Sequence, residues 1–373
     1  MGKTINEKLR DNGISIICEI DKTSKNSISA YVAKTLVSKF PNLRLNYDMI
    51  YSSVNRLPMY IALMNVNSSG ACYFYENSSI YFRRGLSLEQ IKRLAVHECI
   101  HYFQEIRNDN GKIKKMGLCT FVGKRAVGNA INEASVQLMS AYATNERPEL
   151  VKYYGISLRA DSPSFYPIIC NLIKQMGYLA GFPILFESTF YANDDFYKAI
   201  SSLLGENSVF KIQDNMERIL NYESQIENIS MKVRTENLDS SKFNRYTEKM
   251  ALLKKKINKT YFDTQNIIVE SFFDRKLKKV KTPQQIEVFR KYLYRYSSII
   301  GTSESYTFFN DYYIKKMQEI DSIYERMSGN TSMQVYKPSK IKLLFKSIIN
   351  LLTSNNENDE SLSFQQNYQN KKQ

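Results

Sequence analysis

The hydrophobic pattern of this chain starts with a period of two and ends with a period near 3.6. Ile14 to Ile20 alternates and is rich in isoleucine, as a half-covered strand would be. Asn26 then offers a cap for an amphipathic helix that runs to about Lys39 and stops at Phe40-Pro41. Pro58 precedes a further apolar run, Met59 to Met64. The next stretch is the most legible. Ala71-Cys72-Tyr73-Phe74-Tyr75 and Ile80-Tyr81-Phe82-Arg83 flank the polar Glu76-Asn77-Ser78-Ser79, which predicts a β-hairpin of two aromatic-rich strands. Gly85 stops the second strand, and Ser87 with Gln90 forms a capping box that predicts a helix to about Arg107, closed by Asp109-Asn110-Gly111. After a basic connector, a second helix is predicted from about Ala126 to Tyr142, ending before Pro148.

Beyond residue 160 strand signals fade and apolar residues recur at helical spacing amid dense charge. The pattern therefore predicts an α+β fold: a domain over residues 1–160, a helical region over 161–352 and a disordered tail over 353–373. The longest apolar stretch, Phe165 to Phe186, is interrupted by Pro167, Asn171, Lys174, Gln175, Gly177, Gly181 and Pro183. Such groups are costly in hydrocarbon, so a buried helical hairpin is expected rather than a transmembrane segment. Residues 339–352 place Ile341, Leu344, Phe345, Ile348 and Leu352 on one helical face and Lys342 and Lys346 on another, which suits docking on a bundle better than contact with a membrane surface. The tail, rich in Asn, Gln, Ser and charge, cannot bury enough apolar surface to order itself.

Length and charge sharpen this only a little. A chain of 373 residues exceeds the usual single core. The net charge of +15 raises the possibility of an acidic partner, but residues 1–200 carry 24 basic and 17 acidic side chains and residues 201–373 carry 28 and 20. An excess spread so evenly reads as solvated surface, and no nucleic-acid partner is expected. Lys249 to Lys281 is the most basic stretch, yet Leu252, Ile257, Tyr261, Ile267 and Phe272 are interleaved at helix-compatible spacing, as on a solvated bundle face. Five cysteines at wide, irregular spacing read as reduced. The segment from Met1 has no apolar signal region, so a cytoplasmic location is expected.

The candidate chemistry lies in the first of the two helices. The chain has two histidines, and both fall in His97-Glu98-Cys99-Ile100-His101. On a helix, residues i and i+4 share a face, so both imidazoles can meet one metal ion while Glu98 reaches a water beside it. Cys99 points elsewhere and is read as core. A catalytic zinc takes three protein ligands and keeps one position open, so one ligand remains to be found. The best candidate is Glu133, in the second helix; Glu105 and Glu146 are alternatives within reach in sequence.

His97-Glu98-x-x-His101 followed by Ala130-Ile131-Asn132-Glu133-Ala134 resembles the gluzincin metallopeptidases, specifically their thermolysin-like pattern, over about residues 70–145. The resemblance implies a zincin-like catalytic domain and one Zn2+ per chain, held by His97, His101 and Glu133, with Glu98 as general base. It also implies that the hairpin from Ala71 to Phe82 corresponds to the edge strand that precedes the motif helix and pairs with an extended substrate. Two positions depart from the pattern. The acid that orients a ligand histidine is Gln137 here, in a second shell with Asn132. The histidine that would stabilise an oxyanion is missing, which leaves a tyrosine such as Tyr178 or Tyr191, or an arginine, for that role, or leaves the role unfilled. A zinc-dependent endopeptidase acting on a peptide or protein substrate is the resulting expectation. The alternative is a catalytically degenerate zincin serving as a basic helical binding or scaffold protein, and a toxin-like effector would share the same site.

Overall fold

The computed structural model describes residues 3–64, 70–123, 125–236, 239–300 and 308–328. The expected helix over 339–352 and the tail over 353–373 lie outside the described residues. The fold is α+β with a helical C-terminal region, as the hydrophobic pattern predicts. Two compact units divide between Ser271 and Phe272. The break near residue 160 marks a change of secondary structure, and the helices that follow it, up to Val269, belong to the same unit as the histidine helix.

The first unit opens with helix α1 (Ile5–Asp11), strand β1 (Ile14–Glu19) and helix α2 (Lys22–Lys39). Helix α2 begins earlier than its pattern predicts, because Asp21 caps it by accepting from the Ser24 N–H at 2.9 Å; Asn26 lies inside the helix and accepts from Asn55. Helix α3 (Tyr47–Arg56) leads to β2 (Met59–Met64), then β3 (Ala71–Phe74) and β4 (Ser79–Arg83), the hairpin read from the sequence. These strands form one sheet in the order β1-β2-β4-β3, with β2 and β4 parallel and the other pairs antiparallel. Strand β3 is therefore an edge strand, beside α4 (Leu88–Phe103).

Helix α4 has the expected capping box, with Ser87 accepting from Gln90 N–H and the Gln90 side chain accepting from Ser87 N–H. It ends a turn before the expected Arg107. Gln104 closes it, and the following residues turn into β5 (Glu105–Arg107), where Arg107 ties Glu105 to the Tyr75 carbonyl. The expected basic connector is in fact an antiparallel meander of β5, β6 (Ile113–Met116), β7 (Cys119–Val122) and β8 (Arg125–Val127). Strands of three or four residues are too short to display a period.

Gly128, at φ +86°, turns the chain from β8 into α5 (Asn129–Ala143), and a Cβ there would sit 2.8 Å from the Leu118 carbonyl oxygen. Without a capping side chain of its own, α5 takes one from afar: Glu217 accepts from the Ala130 N–H at 2.9 Å. Nearly every residue of α5 is buried. Strands β9 (Glu149–Tyr153) and β10 (Ile156–Ala160) form a hairpin, followed by α6 (Pro167–Ala180), α7 (Phe182–Tyr191) and α8 (Asp195–Leu204). Helices α6 and α7 are bent by 114° and mostly buried, and no single helix among the described residues is long and apolar enough to cross a membrane.

Two 30-residue helices, α9 (Glu206–Thr235) and α10 (Ser240–Val269), close the first unit. In the basic stretch that spans α10, Leu253 is buried and the expected Leu252 is exposed. The second unit contains α11 (Arg275–Leu277), α12 (Pro283–Ile300) and α13 (Phe308–Ser328), around a core that includes Phe273, Phe289 and Tyr296.

Candidate metal centre

Helices α4 and α5 pack so that His97, His101 and Glu133 converge. The two Nε2 atoms lie 3.0 Å apart, His101 Nε2 lies 3.5 Å from Glu133 Oε1, and His97 Nε2 lies 3.8 Å from Glu133 Oε2. Ligands bound at about 2.0–2.1 Å in a tetrahedron stand about 3.3 Å apart, and the three distances bracket that edge. A donor set of two imidazoles and one carboxylate suits a divalent transition metal, zinc among them. Side-chain exposure is 7% for His101, 13% for His97 and 20% for Glu133, so the carboxylate is the open side of the group.

His101 is held by a buried network. Gln104 Nε2 donates to the Thr189 carbonyl at 2.8 Å, which leaves Gln104 Oε1 to accept from Asn132 Nδ2 at 3.1 Å and from His101 Nδ1 at 2.9 Å. The Asn132 oxygen in turn accepts from the Leu118 N–H at 3.0 Å. With its proton placed on Nδ1, His101 presents a bare Nε2 to the metal position. Asn132 is thus in the outer shell, as the sequence suggests, but it acts through Gln104. Sequence reading passed over Gln104, whose one local signal is its place three residues after His101 at the end of the helix.

His97 is supported differently. Its buried Nδ1 has no close hydrogen bond, but the Gln137 side chain stands beside it and favours charge on the ring, with its amide nitrogen donating to Ser162 Oγ at 2.9 Å. Burial, then the neighbouring His101, pushes the His97 imidazole down to about 3. Burial also works against charge on His101, but the Glu133 carboxylate outweighs it and raises that imidazole to about 9. Glu133 itself is lowered, because His101 and His97 more than offset its burial. In the absence of metal, a proton shared toward His101 neutralises the carboxylate, in the position a cation would take.

Glu98 is 7% exposed and accepts from the Tyr73 backbone N–H of β3 at 2.7 Å. Burial raises its carboxyl to about 7, with His101 and the Tyr73 N–H opposing the rise. Glu105 is engaged by the Tyr73 hydroxyl and Arg107, and Glu146 lies beside Arg93, Asp161 and Glu149, so the carboxylate gathered with the imidazoles is Glu133. Cys99 is fully buried. Of the two tyrosines singled out by sequence, Tyr178 lies on α6, and Tyr191 is 46% exposed with its hydroxyl donating to the Leu43 carbonyl. The tyrosine in the field of the centre is Tyr166, at the start of α6, in the left-handed conformation at φ +52°. Burial and then the Glu133 carboxylate push its phenol well above the usual range, so it stays protonated and able to donate. No family model, curated protein or solved structure matches the chain.

Proposed function

We propose that this protein is a zinc-dependent metallopeptidase whose centre is His97, His101 and Glu133, within a zincin-like arrangement of edge strand, motif helix and glutamate helix. The observation that carries the reading is the convergence of the chain's two histidines and a carboxylate, from separate helices, at the spacing of zinc ligands, with Glu98 buried beside them. Zinc in such a site acidifies a water and polarises a carbonyl.

The protein's own groups supply the rest. Glu98, a carboxyl raised to near neutrality, is suited to take the proton from the attacking water and return it to the leaving amine. The Tyr73 N–H holds that carboxylate toward β3, the edge strand along which an extended peptide can pair. Gln104 and Asn132 fix His101.

Metal analysis of protein purified without chelators, paired with a peptide-cleavage assay, tests the reading. Wild type should carry one zinc and cleave; Glu98→Gln should keep the zinc and lose about 100-fold or more of the cleavage rate. Zinc-loaded wild type that cuts no peptide in a diverse library would leave the binding or scaffold role in place of catalysis.

A further inference from the structure

The four-stranded sheet has two edges, and they are finished differently. At β3 three of four residues are buried, and the Tyr73 N–H ties the strand to Glu98 of α4. At the opposite edge β1 buries only Ile14 and exposes Ser15, Ile16, Ile17, Cys18 and Glu19. Ile16 and Ile17 are 45% and 46% exposed, and Leu63, which faces Ser15 from β2, is 52% exposed.

An open edge is a row of backbone donors and acceptors ready for a further strand, and proteins ordinarily guard it with lysine, proline or an inward charge. From Ile14 to Cys18 this strand has none of them. A bulge is another common guard, and β1 has one. The residue it inserts between the pairs Ile16–Ala62 and Cys18–Ile61 is nevertheless Ile17, an exposed isoleucine. Among the described residues no strand pairs with the outer side of β1.

That edge restricts its occupant to an extended strand, and the charges at the two ends of β1 narrow the choice. Arg10 and Asp11 lie just before the strand, Glu19 is its last residue and Lys22 follows it, all exposed. Among the described residues Arg10, Glu19 and Lys22 make no ion pair, and Asp11 meets only Lys3, at the surface. A second copy lying antiparallel about a two-fold axis brings the Arg10 and Asp11 end of one strand to the Glu19 and Lys22 end of the other. Opposite charges then meet at both ends and isoleucines meet in the middle. A parallel copy would set like charges side by side.

We propose that β1 is a homodimer interface, in which two copies of this chain join by antiparallel β1–β1 pairing about an axis near Ile16 and Ile17. The two sheets become one, and β3 stays at the far edge of each half. The interface and the metal centre are thus separate features, and the dimer stands whether or not the protein is a peptidase.

Sedimentation equilibrium of the full chain tests the pairing. Wild type should pass from monomer to dimer mass as concentration rises. Ile16→Lys/Ile17→Lys changes two exposed side chains, and should raise the dimer dissociation constant about 100-fold or more with an unchanged circular dichroism spectrum. If the lysine pair does not fold, the milder Ile17→Thr should still weaken the dimer about tenfold. Cys18 supplies a second readout, since it is exposed while the other four cysteines are buried or partly covered. A short bismaleimide should join two wild-type chains, and Cys18→Ser should remove the product. A wild type monomeric at every concentration, a dimer that persists in the folded lysine variant, or a cross-link that forms equally in Cys18→Ser each overturns the interface. So does a monomer whose β1 amides are shielded from hydrogen exchange only by an added extended peptide, which would assign the edge to a different strand.

Discussion

Glu133 and Glu223 are two glutamates on the covered faces of neighbouring helices, α5 and α9, and burial alone should raise both carboxyls. Only one rises. Desolvation of Glu133 is outweighed by His101 and His97, and its carboxyl falls below the ordinary range; Glu223, which makes no ion pair among the described residues, is pushed up to about 8 by burial and then by Glu227. Helical position and depth do not decide the charge of a buried acid here. What stands across from it does: two imidazoles face Glu133, and another acid, Glu227, is the charge nearest in effect to Glu223.

The sharpest way to break this contrast is to remove the carboxylate that has partners. Glu133→Gln keeps the shape of α5 and leaves two imidazoles with an uncharged third donor. Zinc affinity should fall by more than the roughly 10–100-fold that loss of an outer-shell partner costs, as read by competition with a chromophoric chelator. Stoichiometric zinc held as tightly as in wild type would move the third ligand elsewhere.

Next in size is the network behind His101. Gln104→Leu removes the acceptor that keeps the Nδ1 proton in place, and zinc affinity should drop about 10–100-fold with the helix intact by circular dichroism. Gly117→Ala attacks the same network from outside. At φ +55°, a Cβ would lie 2.2 Å from both Asn132 Oδ1 and Gln104 Nε2, so both amides must move. Loss of their buried hydrogen bonds should cost about 1–3 kcal/mol in chemical denaturation. A Gly117→Ala protein with unchanged stability and zinc affinity would show that Gln104 does not need its present position.

How much of this was visible beforehand follows from how local each signal is. The hairpin and the start of α4 were legible because aromatic alternation and a capping box are written within a few residues. The convergence of His97, His101 and Glu133 was legible because i,i+4 spacing and the Asn132-Glu133 pair are also local, and the histidines had no competitors. Gln104 was not, since its role depends on Thr189 and Asn132, 85 and 28 residues away. The β5–β8 meander was hidden by strands too short to show a period, and the cap on α5 by its origin in Glu217. Glu223 was hidden in plain view, since a charge in a long polar helix looks solvated until the apolar stripe around it is laid out.

Glu223 also carries a pH signature. Its folded-state value near 8 lies above the ordinary carboxyl value of 4.5, so the native state holds a proton that the unfolded chain releases. The stability tied to that proton is complete below about pH 4.5 and is lost as pH rises toward about 8. Glu223→Gln, which never ionises, should therefore be clearly more stable than wild type at pH 8.5, with most of the gap closed by pH 5. Denaturation curves that run parallel across this range would mean that Glu223 is ionised and compensated in the native protein.

The smallest expected effect probes the weaker half of the metal centre. His97 Nδ1 is buried with Gln137 beside it but no close hydrogen bond, whereas His101 Nδ1 is held by Gln104 at 2.9 Å, so the two imidazoles are unequally prepared to bind a metal. Gln137→Glu would place a carboxylate beside His97, accept its Nδ1 proton and make Nε2 more basic. Two costs oppose the gain: another acid is buried near Glu133, and the amide hydrogen bond to Ser162 is exchanged for one that the Ser162 hydroxyl must donate. The balance should be a gain in zinc affinity of up to about tenfold at pH 8. It should shrink at pH 6, because the same carboxylate raises the His97 imidazole from about 3 and lets protons compete with the metal. Weaker zinc binding at both pH values would mean that the bond from Gln137 to Ser162 matters more to the site than a partner for His97, and that the asymmetry between the histidines is part of how this centre works.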